Sequence, residues 1–227
     1  MHVFNFLLFY PIFMSIYWIV GSIYYFFIKE KPFNRSLLVK SEHQQVEGIS
    51  FLLACYNESE TVQDTLSSVL SLEYPEKEII IINDGSSDNT AEIIYDFKKN
   101  HDFKFVDLEV NRGKANALNE GIKQASYEYV MCLDADTVID DDAPFYMIED
   151  FKKNPKLGAV TGNPRIRNKS SILGKIQTIE YASIIGCIKR SQSLAGAINT
   201  ISGVFTLFKK SALKDVGYWD TDMITED

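Results

Sequence analysis

Two carboxylates, Asp134 and Asp136, flank a single alanine directly after the apolar run Tyr129–Leu133. Neighbouring carboxylates repel each other, and this repulsion raises a pKa unless a cation neutralises the pair. Mg²⁺ or Mn²⁺ needs only one or two carboxylates in such a site and keeps other positions for water and phosphate oxygens. Asp134 and Asp136 are therefore candidate metal ligands. The alternative is a solvated acidic turn, because three more aspartates follow at positions 140–142.

Another carboxylate, Asp84, follows the β-branched run Glu78–Ile82. Gly85 permits a tight turn after it, and Ser87 or Asp88 suits the N-cap of the next helix. These structural roles do not account for Asp84. A carboxylate at a strand end can accept a hydrogen bond from a nucleobase N–H, so Asp84 is a candidate for binding a nucleobase.

Two more short motifs contain residue types that can bind a nucleotide. Tyr56, Asn57 and Glu58 offer an aromatic face with polar neighbours for a base. The structural alternative is that Asn57 caps a helix and that Glu58 lies favourably near the helix dipole. Lys114 stands at a predicted helix start after Gly113, where a cation and unpaired N–H groups suit phosphate. An ordinary surface lysine is the alternative there.

From residue 48 onward, short apolar runs alternate with amphipathic segments, which predicts a mostly parallel sheet covered by helices. The predicted strands are Ile49–Ala54, Glu78–Ile82, Lys104–Leu108, Tyr129–Leu133 and Leu157–Thr161, with a further strand-like segment at Ile201–Phe205. The predicted helices are Glu60–Leu72, a helix from Ser87 or Asp88 to Asn100, Lys114–Gln124 and Ala143–Lys153. In such α/β sheets, ligands bind beyond the carboxyl ends of the strands, where the candidate residues fall.

The segment Phe4–Ile28 carries no charged residue and is long enough to span a bilayer. It lacks the basic start and the cleavage site of a signal peptide. The basic residues that follow it are Lys29, Lys31, Arg35 and Lys40. The positive-inside rule then places the next domain in the cytoplasm, at the cell membrane. A buried hydrophobic helix is the alternative.

These features predict three parts: a transmembrane helix at 1–28, a juxtamembrane linker at 29–47 and a globular domain at 48–227. The stretch Ser170–Ile201 is apolar but interrupted by charges, which predicts one amphipathic helix. This helix could either pack in the core or lie on the side of the domain that faces the membrane, and the sequence leaves both alternatives. The net charge of -8 argues against nucleic acid as a partner. Cys55, Cys132 and Cys187 form no Cys-x-x-Cys pair, which argues against a zinc site. Cys55 and Cys132 stand at the ends of apolar runs, which indicates reduced, buried thiols.

Five motifs in this order resemble the family 2 glycosyltransferases, which have the GT-A fold, a Rossmann-like sheet flanked by helices. They are Cys55-Tyr56-Asn57-Glu58, Asn83-Asp84-Gly85-Ser86-Ser87-Asp88, Asn111-Arg112-Gly113-Lys114, Asp134-Ala135-Asp136 and Thr225-Glu226-Asp227. The likeness extends from about Ile49 to the last residue. Within the family, Val160–Arg167, Ser183–Gly186 and Gly217–Trp219 with the residues up to Asp227 resemble the bacterial synthases of β-1,6-linked N-acetylglucosamine biofilm polymer.

The resemblance implies an inverting enzyme with UDP-N-acetylglucosamine as donor, a growing polysaccharide as acceptor and Mg²⁺ or Mn²⁺ as cofactor. Asp84 would hold the uracil, Asp136 would bind the metal, and Asp134 would assist near the ribose or diphosphate. Asp227 would be the base that takes the proton of the acceptor hydroxyl. The other donor-binding residues would be Tyr56, Asn57, Glu58 and Lys114. Membrane lipid and a small accessory membrane subunit are further expected partners.

The family continues past its Thr-Glu-Asp element into a Gln-x-x-Arg-Trp motif and more membrane helices, whereas this sequence stops at Asp227. We therefore expect part of a longer enzyme that binds the donor weakly with metal but makes no polymer by itself. A related synthase of hyaluronan, chitin or cellulose is an alternative, and so is a non-catalytic nucleotide-binding membrane scaffold. The full acid set, Asp84, Asp134, Asp136 and Asp227, favours an enzyme over a scaffold.

Overall fold

The structure is a computed structural model. It describes residues 2–30, 46–135, 137–166, 170–196, 198–201, 203 and 205–222. Asp136 and Asp227 lie outside the described residues, as does the basic stretch 31–45. The chain divides into two compact units: Met1–His43 with Asn163–Thr200, and Gln44–Gly162 with Ile201–Asp227.

The second unit contains a six-stranded sheet. Its strands are β1 (Ile49–Cys55), β2 (Lys77–Asp84), β3 (Lys104–Leu108), β4 (Tyr129–Asp134), β5 (Ala159–Thr161) and β6 (Phe205–Lys209). Their order is β3-β2-β1-β4-β6-β5. The first four strands are parallel, and β6 runs antiparallel to both β4 and β5. The mostly parallel sheet predicted from the sequence is thereby confirmed.

Eight α-helices are described in the two units. They are α1 (His2–Tyr25), α2 (Val62–Leu70), α3 (Thr90–Lys98), α4 (Lys114–Gln124), α5 (Ala143–Lys153), α6 (Ile172–Tyr181), α7 (Arg190–Leu194) and α8 (Lys210–Asp215). Two π-helical segments, Phe26–Glu30 and Ala182–Lys189, continue α1 and join α6 to α7.

The core of the sheet unit has two layers, because successive residues of a strand point to opposite faces. On one face, Phe51 and Leu53 pack in a cluster with Leu66 of α2 and Phe151 of α5. On the other face, Leu52 belongs to a cluster with helix α4. Burial on both faces explains why the central strands read as continuous apolar runs.

The elements agree with the predicted ones to different degrees. Strand β3 and helices α4 and α5 have the predicted bounds, and the other elements up to β5 begin and end within three residues of them. The strand expected at Ile201–Phe205 is the exception, because β6 begins at Phe205 and ends at Lys209. Its start follows from antiparallel pairing, in which Phe205 lies opposite Leu133 of β4. Local sequence does not encode that pairing.

In the first unit, α1 and its π-helical continuation form a helix long and apolar enough to cross a membrane. The segment Phe6–Glu30 has a mean hydropathy of 1.8, and none of that stretch is buried. The lack of buried residues in this segment argues against the alternative of a buried core helix. The transmembrane assignment remains a prediction, since length and composition are its only support.

The residues expected to form one amphipathic helix pack against α1 within this unit. Ser22 Oγ donates to the Gly186 carbonyl over 3.0 Å, and Ser191 Oγ donates to the Trp18 carbonyl over 2.7 Å. A Cβ at Gly21 would lie 2.5 Å from the Ser191 hydroxyl oxygen, so only glycine permits this close approach. The structure therefore groups these helices with α1, whereas the sequence led us to place them in a domain at 48–227.

Candidate functional site

The carboxyl ends of β1, β2 and β4 meet at one edge of the sheet. In the register of the sheet, Cys55 of β1 lies opposite Asn83 of β2, and Ala54 lies opposite Asp134 of β4. Asp84 and Asp134 are the last residues of β2 and β4, and Tyr56 directly follows β1. The fold thus brings three of the predicted site motifs to the same edge.

A set of hydrogen bonds ties the loop after β1 to the loop after β2. The Asn57 side-chain oxygen accepts from the backbone N–H of Ser87 at 2.8 Å, and the Asn57 N–H donates to Ser86 Oγ at 3.0 Å. Asn57 has a φ of 54°, a left-handed conformation that asparagine tolerates better than most residues. Asn57 is therefore a brace between two strand ends and not the helix cap that was its structural alternative.

Asp88 completes this brace. Its carboxylate accepts from the N–H and hydroxyl of Thr90 and from the N–H of Ser59. Burial raises the pKa of Asp88, but the bonds from Thr90 and Ser59 outweigh it and lower the pKa to about 2. The carboxylate thus serves the start of α3, as predicted for Asp88, although the residue before the helix is Asn89.

The other two residues of the first motif differ in exposure and contacts. The Glu58 carboxylate accepts from the Thr61 hydroxyl at 2.6 Å. The backbone N–H of Glu58 donates to Thr90 Oγ1. Tyr56 is 48% exposed at the end of β1. Of the predicted donor-binding residues in this motif, Tyr56 and Asn57 are exposed and Glu58 is half-buried, and Tyr56 is the one that offers an aromatic face.

Asp84 is buried at the end of β2, with 3% of its surface exposed. Its Oδ1 accepts from the backbone N–H of Arg112 at 3.1 Å. The loop that contains Arg112 passes so close that a Cβ at Gly85 would lie 2.4 Å from the Asn111 nitrogen. Gly85 also has a φ of 62°, which favours glycine. Local backbone packing therefore fixes the Asp84 carboxylate at the strand edge.

Lys114 and Asp134 form an ion pair at this edge. Lys114 is the first residue of α4, Asp134 is the last residue of β4, and Lys114 Nζ lies 2.6 Å from Asp134 Oδ1. Their side chains are 28% and 27% exposed, so a ligand can still reach them. Lys114 supplies the neutralising cation that we had expected a metal to supply to Asp134.

The turn after β4 is anchored on both sides. The Thr65 hydroxyl of α2 donates to the Ala135 carbonyl, and the Thr137 N–H donates to the Asp134 carbonyl at 3.1 Å. Ala135 and Ile139 are buried in the core cluster of that face. The peptide that leads from Ala135 towards Asp136 is therefore held by the core.

The three aspartates at 140–142, whose proximity supported the alternative of a solvated acidic turn at Asp134–Asp136, lie in a turn of their own before α5. Asp140 Oδ1 accepts from the Asp142 N–H, and the Asp140 carbonyl accepts from the Ala143 N–H at the start of α5. Asp141 accepts from the Glu73 N–H. The Asp140 and Asp141 carboxylates thus organise loops, which separates them in role from Asp134.

No cluster of three or more His, Cys, Asp or Glu side chains suited to a metal occurs among the described residues. Asp136, the principal predicted ligand, is not one of them. Cys55 and Cys132 are free and buried, as predicted. Burial raises the pKa of each to about 12, with a smaller contribution from Glu58 at Cys55, so both thiols stay protonated near neutral pH. Neither thiol is suited to bind a metal.

The sequence did not point to Thr65, Ser86 or Thr90. Each of these hydroxyls acts on a segment distant in sequence, 70 residues away for Thr65 and Ala135 and 32 for Thr90 and Glu58. Serine and threonine in a helix or turn give no signal of such a partner.

The parallel strands with helices on both faces and an antiparallel β6 define an α/β protein of the GT-A type. The family model described as glycosyl transferase family 2 matches residues 50–217. The chain therefore belongs to glycosyltransferase family 2.

Its curated relatives are close. The chain is 99% identical over 227 residues to a poly-beta-1,6-N-acetyl-D-glucosamine synthase of Staphylococcus epidermidis. It is 77% identical over the same length to a protein of that name from Staphylococcus aureus strain COL. The chain covers 55% of each of these relatives, so it spans about half the length of the curated proteins it matches.

Solved structures show the same fold. A mannosyltransferase, PcManGT from Pyrobaculum calidifontis in complex with GDP-Man and Mn²⁺, matches with a TM-score of 0.66 and 21% identity, over 94% of this chain and 59% of that one. TarS 1-349 of S. aureus in complex with UDP-GlcNAc matches with a TM-score of 0.54 and 20% identity, over 76% of this chain and 48% of that one. At such identities, the likeness concerns the fold alone.

Proposed function

We propose that this chain contains the donor site of an inverting N-acetylglucosaminyltransferase that extends poly-β-1,6-N-acetylglucosamine, a biofilm exopolysaccharide. The observation that carries the proposal is the 99% identity, over the whole chain, to a synthase of this polymer. The strand-edge geometry supports it, because that edge combines a buried carboxylate, an exposed aromatic ring and a reachable cation.

Three residues divide the recognition of UDP between them. Asp84, fixed by the Arg112 N–H, accepts from the imide N–H of uracil. Tyr56 is exposed beside it and stacks on the base. Lys114, at the start of a helix, binds a phosphate oxygen in exchange for part of its contact with Asp134.

The residues at the end of β4 fit a divalent cation, because Mg²⁺ and Mn²⁺ bind through one or two carboxylates plus substrate phosphates. Asp136 would be the principal ligand, with Asp134 beside it. Since Lys114 already neutralises Asp134, the metal site depends chiefly on Asp136 and on the donor. A bound cation would neutralise the diphosphate as it leaves.

The transfer itself needs a base for the acceptor. The acceptor hydroxyl oxygen attacks C1 of the donor sugar, the bond from C1 to the diphosphate oxygen breaks, and the hydroxyl proton passes to a carboxylate. Attack from the face opposite the α-linked diphosphate gives the β product. We assign the proton transfer to Asp227, which resembles the base of the family by its Thr-Glu-Asp motif.

The location follows from α1. Lysines and arginines are concentrated after this helix, which favours a helix that spans the cell membrane with the sheet unit on the cytoplasmic side. A reporter enzyme fused after Lys40 tests this orientation. Activity of a reporter that works only inside the cytoplasm is expected, and activity of one that works only outside would contradict the assignment.

The test of the activity is a transfer assay in membranes, with the protein extended to the length of its 99% identical relative. Labelled UDP-N-acetylglucosamine should give a polymer whose linkages are β-1,6 by methylation analysis, whereas UDP-glucose should give none. Asp227→Asn should retain UDP binding and lose transfer. Incorporation of sugar from another donor, or a linkage other than β-1,6, would contradict the proposed donor or product. UDP binding without any transfer would favour a nucleotide-binding scaffold.

A further inference from the structure

We infer that the segment Ile172–Leu194, which comprises α6, the π-helical segment Ala182–Lys189 and α7, is a membrane-contacting element whose exposed isoleucines insert among the lipids of the cytoplasmic leaflet. This inference rests on the proposed membrane span of α1. The sequence left two alternatives for the segment, packing in the core and contact with the membrane. Its contacts with α1 and its exposed apolar face favour the membrane.

The contacts between this segment and α1 occur within the apolar part of α1. A helix needs about 20 residues to cross the hydrocarbon core of a bilayer. Any run of that length within the uncharged stretch Phe4–Ile28 includes both Trp18 and Ser22. Trp18 accepts a hydrogen bond from Ser191, and Ser22 donates one to Gly186. With α1 in a bilayer, both contacts lie at the depth of the hydrocarbon core, and the helices that make them meet lipid.

The chemistry of these contacts suits a medium without water. At Gly21, a Cβ would lie 2.5 Å from the Ser191 hydroxyl oxygen, and close approach at small residues is typical of helices that associate in a bilayer. The Arg190 guanidinium donates to Glu30, just after the uncharged stretch, through two hydrogen bonds of 2.8 and 3.0 Å. The charge of Arg190 thus lies paired at the end of α1, as expected of a long basic side chain near a membrane surface.

Helix α6 has an apolar face that the described part of the protein leaves open. Ile172, Ile176 and Ile179 are 79%, 56% and 69% exposed. They are spaced four and three residues apart and therefore share one face of the helix. Gly174, on the opposite face, is buried. A face of this kind suits the boundary between lipid headgroups and acyl chains, where an amphipathic helix buries its apolar side.

The bilayer is the one partner that covers both apolar surfaces of this unit. The segment Phe6–Glu30 has no buried residue, and hydrogen bonds keep Ile172–Leu194 beside it. A second copy of the chain is another occupant for the isoleucines, and so is the part of the longer relatives that this chain does not span. Either of these would shield the isoleucines from lipid as well as from water, which an experiment can detect.

The test measures how nitroxide spin labels contact oxygen and a water-soluble nickel chelate, by EPR in liposomes of phosphatidylcholine and phosphatidylglycerol. The protein is extended to the length of its 99% identical relative, with Cys187 and any cysteine beyond residue 227 changed to serine. Cys55 and Cys132 remain, because both thiols are buried and protonated near neutral pH. Labels are attached to the single variants Ile176→Cys and Ile179→Cys.

Both labels should contact oxygen more than the nickel chelate, at a depth of about 5–10 Å into the boundary between headgroups and acyl chains. Gln177→Cys is the matched control, because Gln177 is exposed beside Ile176 but on another face of α6. Its label should contact the nickel chelate more. A label on Ile12→Cys of α1, where Ile12 is 52% exposed, should lie deeper than the labels on α6.

Nickel contact at Ile176 and Ile179 equal to that at Gln177 would overturn the inference. Shielding of both isoleucine labels from oxygen and nickel would also overturn it, because protein would then cover them. Shielding that disappears in the 227-residue chain would identify the downstream part as the cover, and shielding that disappears on dilution in lipid would identify a second copy. If the label at Ile12 also contacts the nickel chelate, the proposed membrane span fails together with the inference.

Discussion

The two ends of the sheet hold their charges differently. At the amino end, Glu78 of β2 accepts from Ser50, Ser126 and Lys104, whose Nζ lies 2.7 Å away. At the carboxyl end, Asp84 accepts from the backbone N–H of Arg112, and Asp134 is paired with Lys114, whose side chain is 28% exposed.

The difference separates a carboxylate that stabilises the fold from carboxylates that can also serve a ligand. Burial raises the pKa of Glu78, but the bonds from Lys104, Ser50 and Ser126 outweigh it and lower the pKa to about 2. Four donor groups occupy this carboxylate. At the carboxyl end, Asp84 is buried against the Arg112 backbone N–H, whereas Asp134 is 27% exposed beside Lys114, where a ligand can reach it.

Asp84→Asn should have the largest effect on UDP affinity, and it should affect only the site at the carboxyl end of the sheet. The asparagine can still accept from Arg112, but it turns one acceptor into a donor that faces the imide N–H of uracil. Since a hydrogen bond to a charged group contributes about 1.5–3 kcal/mol, we expect UDP affinity to fall by about fiftyfold. Isothermal calorimetry measures it.

The matched variant is Asp107→Asn in the neighbouring strand β3, where Asp107 accepts from Asn83 at 2.7 Å. It should change UDP affinity by less than about twofold, because we assign Asp107 no contact with the donor. Equal losses in both variants would show that Asp84 acts through the stability of the sheet edge.

Glu78→Gln should affect stability and not binding. The pKa of Glu78 is lower in the folded chain than its ordinary value of 4.5, so its contribution is complete above that pH and disappears as the pH falls towards 2. The shift corresponds to about 3 kcal/mol, which partial solvent screening reduces to about 2 kcal/mol. Denaturation followed by tryptophan fluorescence should show this difference at pH 7 and almost none near pH 2.

An exposed carboxylate provides the control for this pH dependence. Glu92 of α3 is exposed, so Glu92→Gln should change stability by less than about 0.5 kcal/mol at every pH. A stability difference for Glu78→Gln that stays constant from pH 7 to pH 2 would contradict the claim that the ionised Glu78 carboxylate stabilises the fold.

Lys114→Met should have a smaller effect on UDP affinity, about tenfold, since one phosphate contact at a partly exposed site is lost. Lys123→Met is the comparison, because Lys123 lies in the same helix and pairs with Glu120 at 2.7 Å, away from the strand edge. It should bind UDP as the unchanged protein does. If Lys114→Met binds UDP equally well, the Lys114–Asp134 pair is only structural.

Much of this arrangement could be predicted from the sequence, but only where the signal is local. Helix α4 has the predicted bounds because Gly113, with a φ of 90°, ends the preceding loop and an amphipathic pattern follows. The aspartates at 140–142 were also recognisable as an acidic segment next to the candidate site. Both conclusions need only neighbouring residues.

The rest depends on which strands become neighbours. The placement of β4 beside β1, and of α4 beside the end of β4, creates the Lys114–Asp134 pair. Two motifs read separately from the sequence therefore neutralise each other in the fold. The same holds for Asn57, whose partners Ser86 and Ser87 lie on another loop. No local pattern reports such contacts.

The most direct test of the account is the UDP affinity of the protein in Mn²⁺ compared with EDTA, measured by calorimetry in detergent. The account predicts at least about tenfold tighter binding with Mn²⁺, and it predicts that Asp136→Asn removes this difference while leaving the EDTA value unchanged. Equal UDP affinity with and without the metal in the unchanged protein would contradict a metal-assisted donor site at this edge of the sheet.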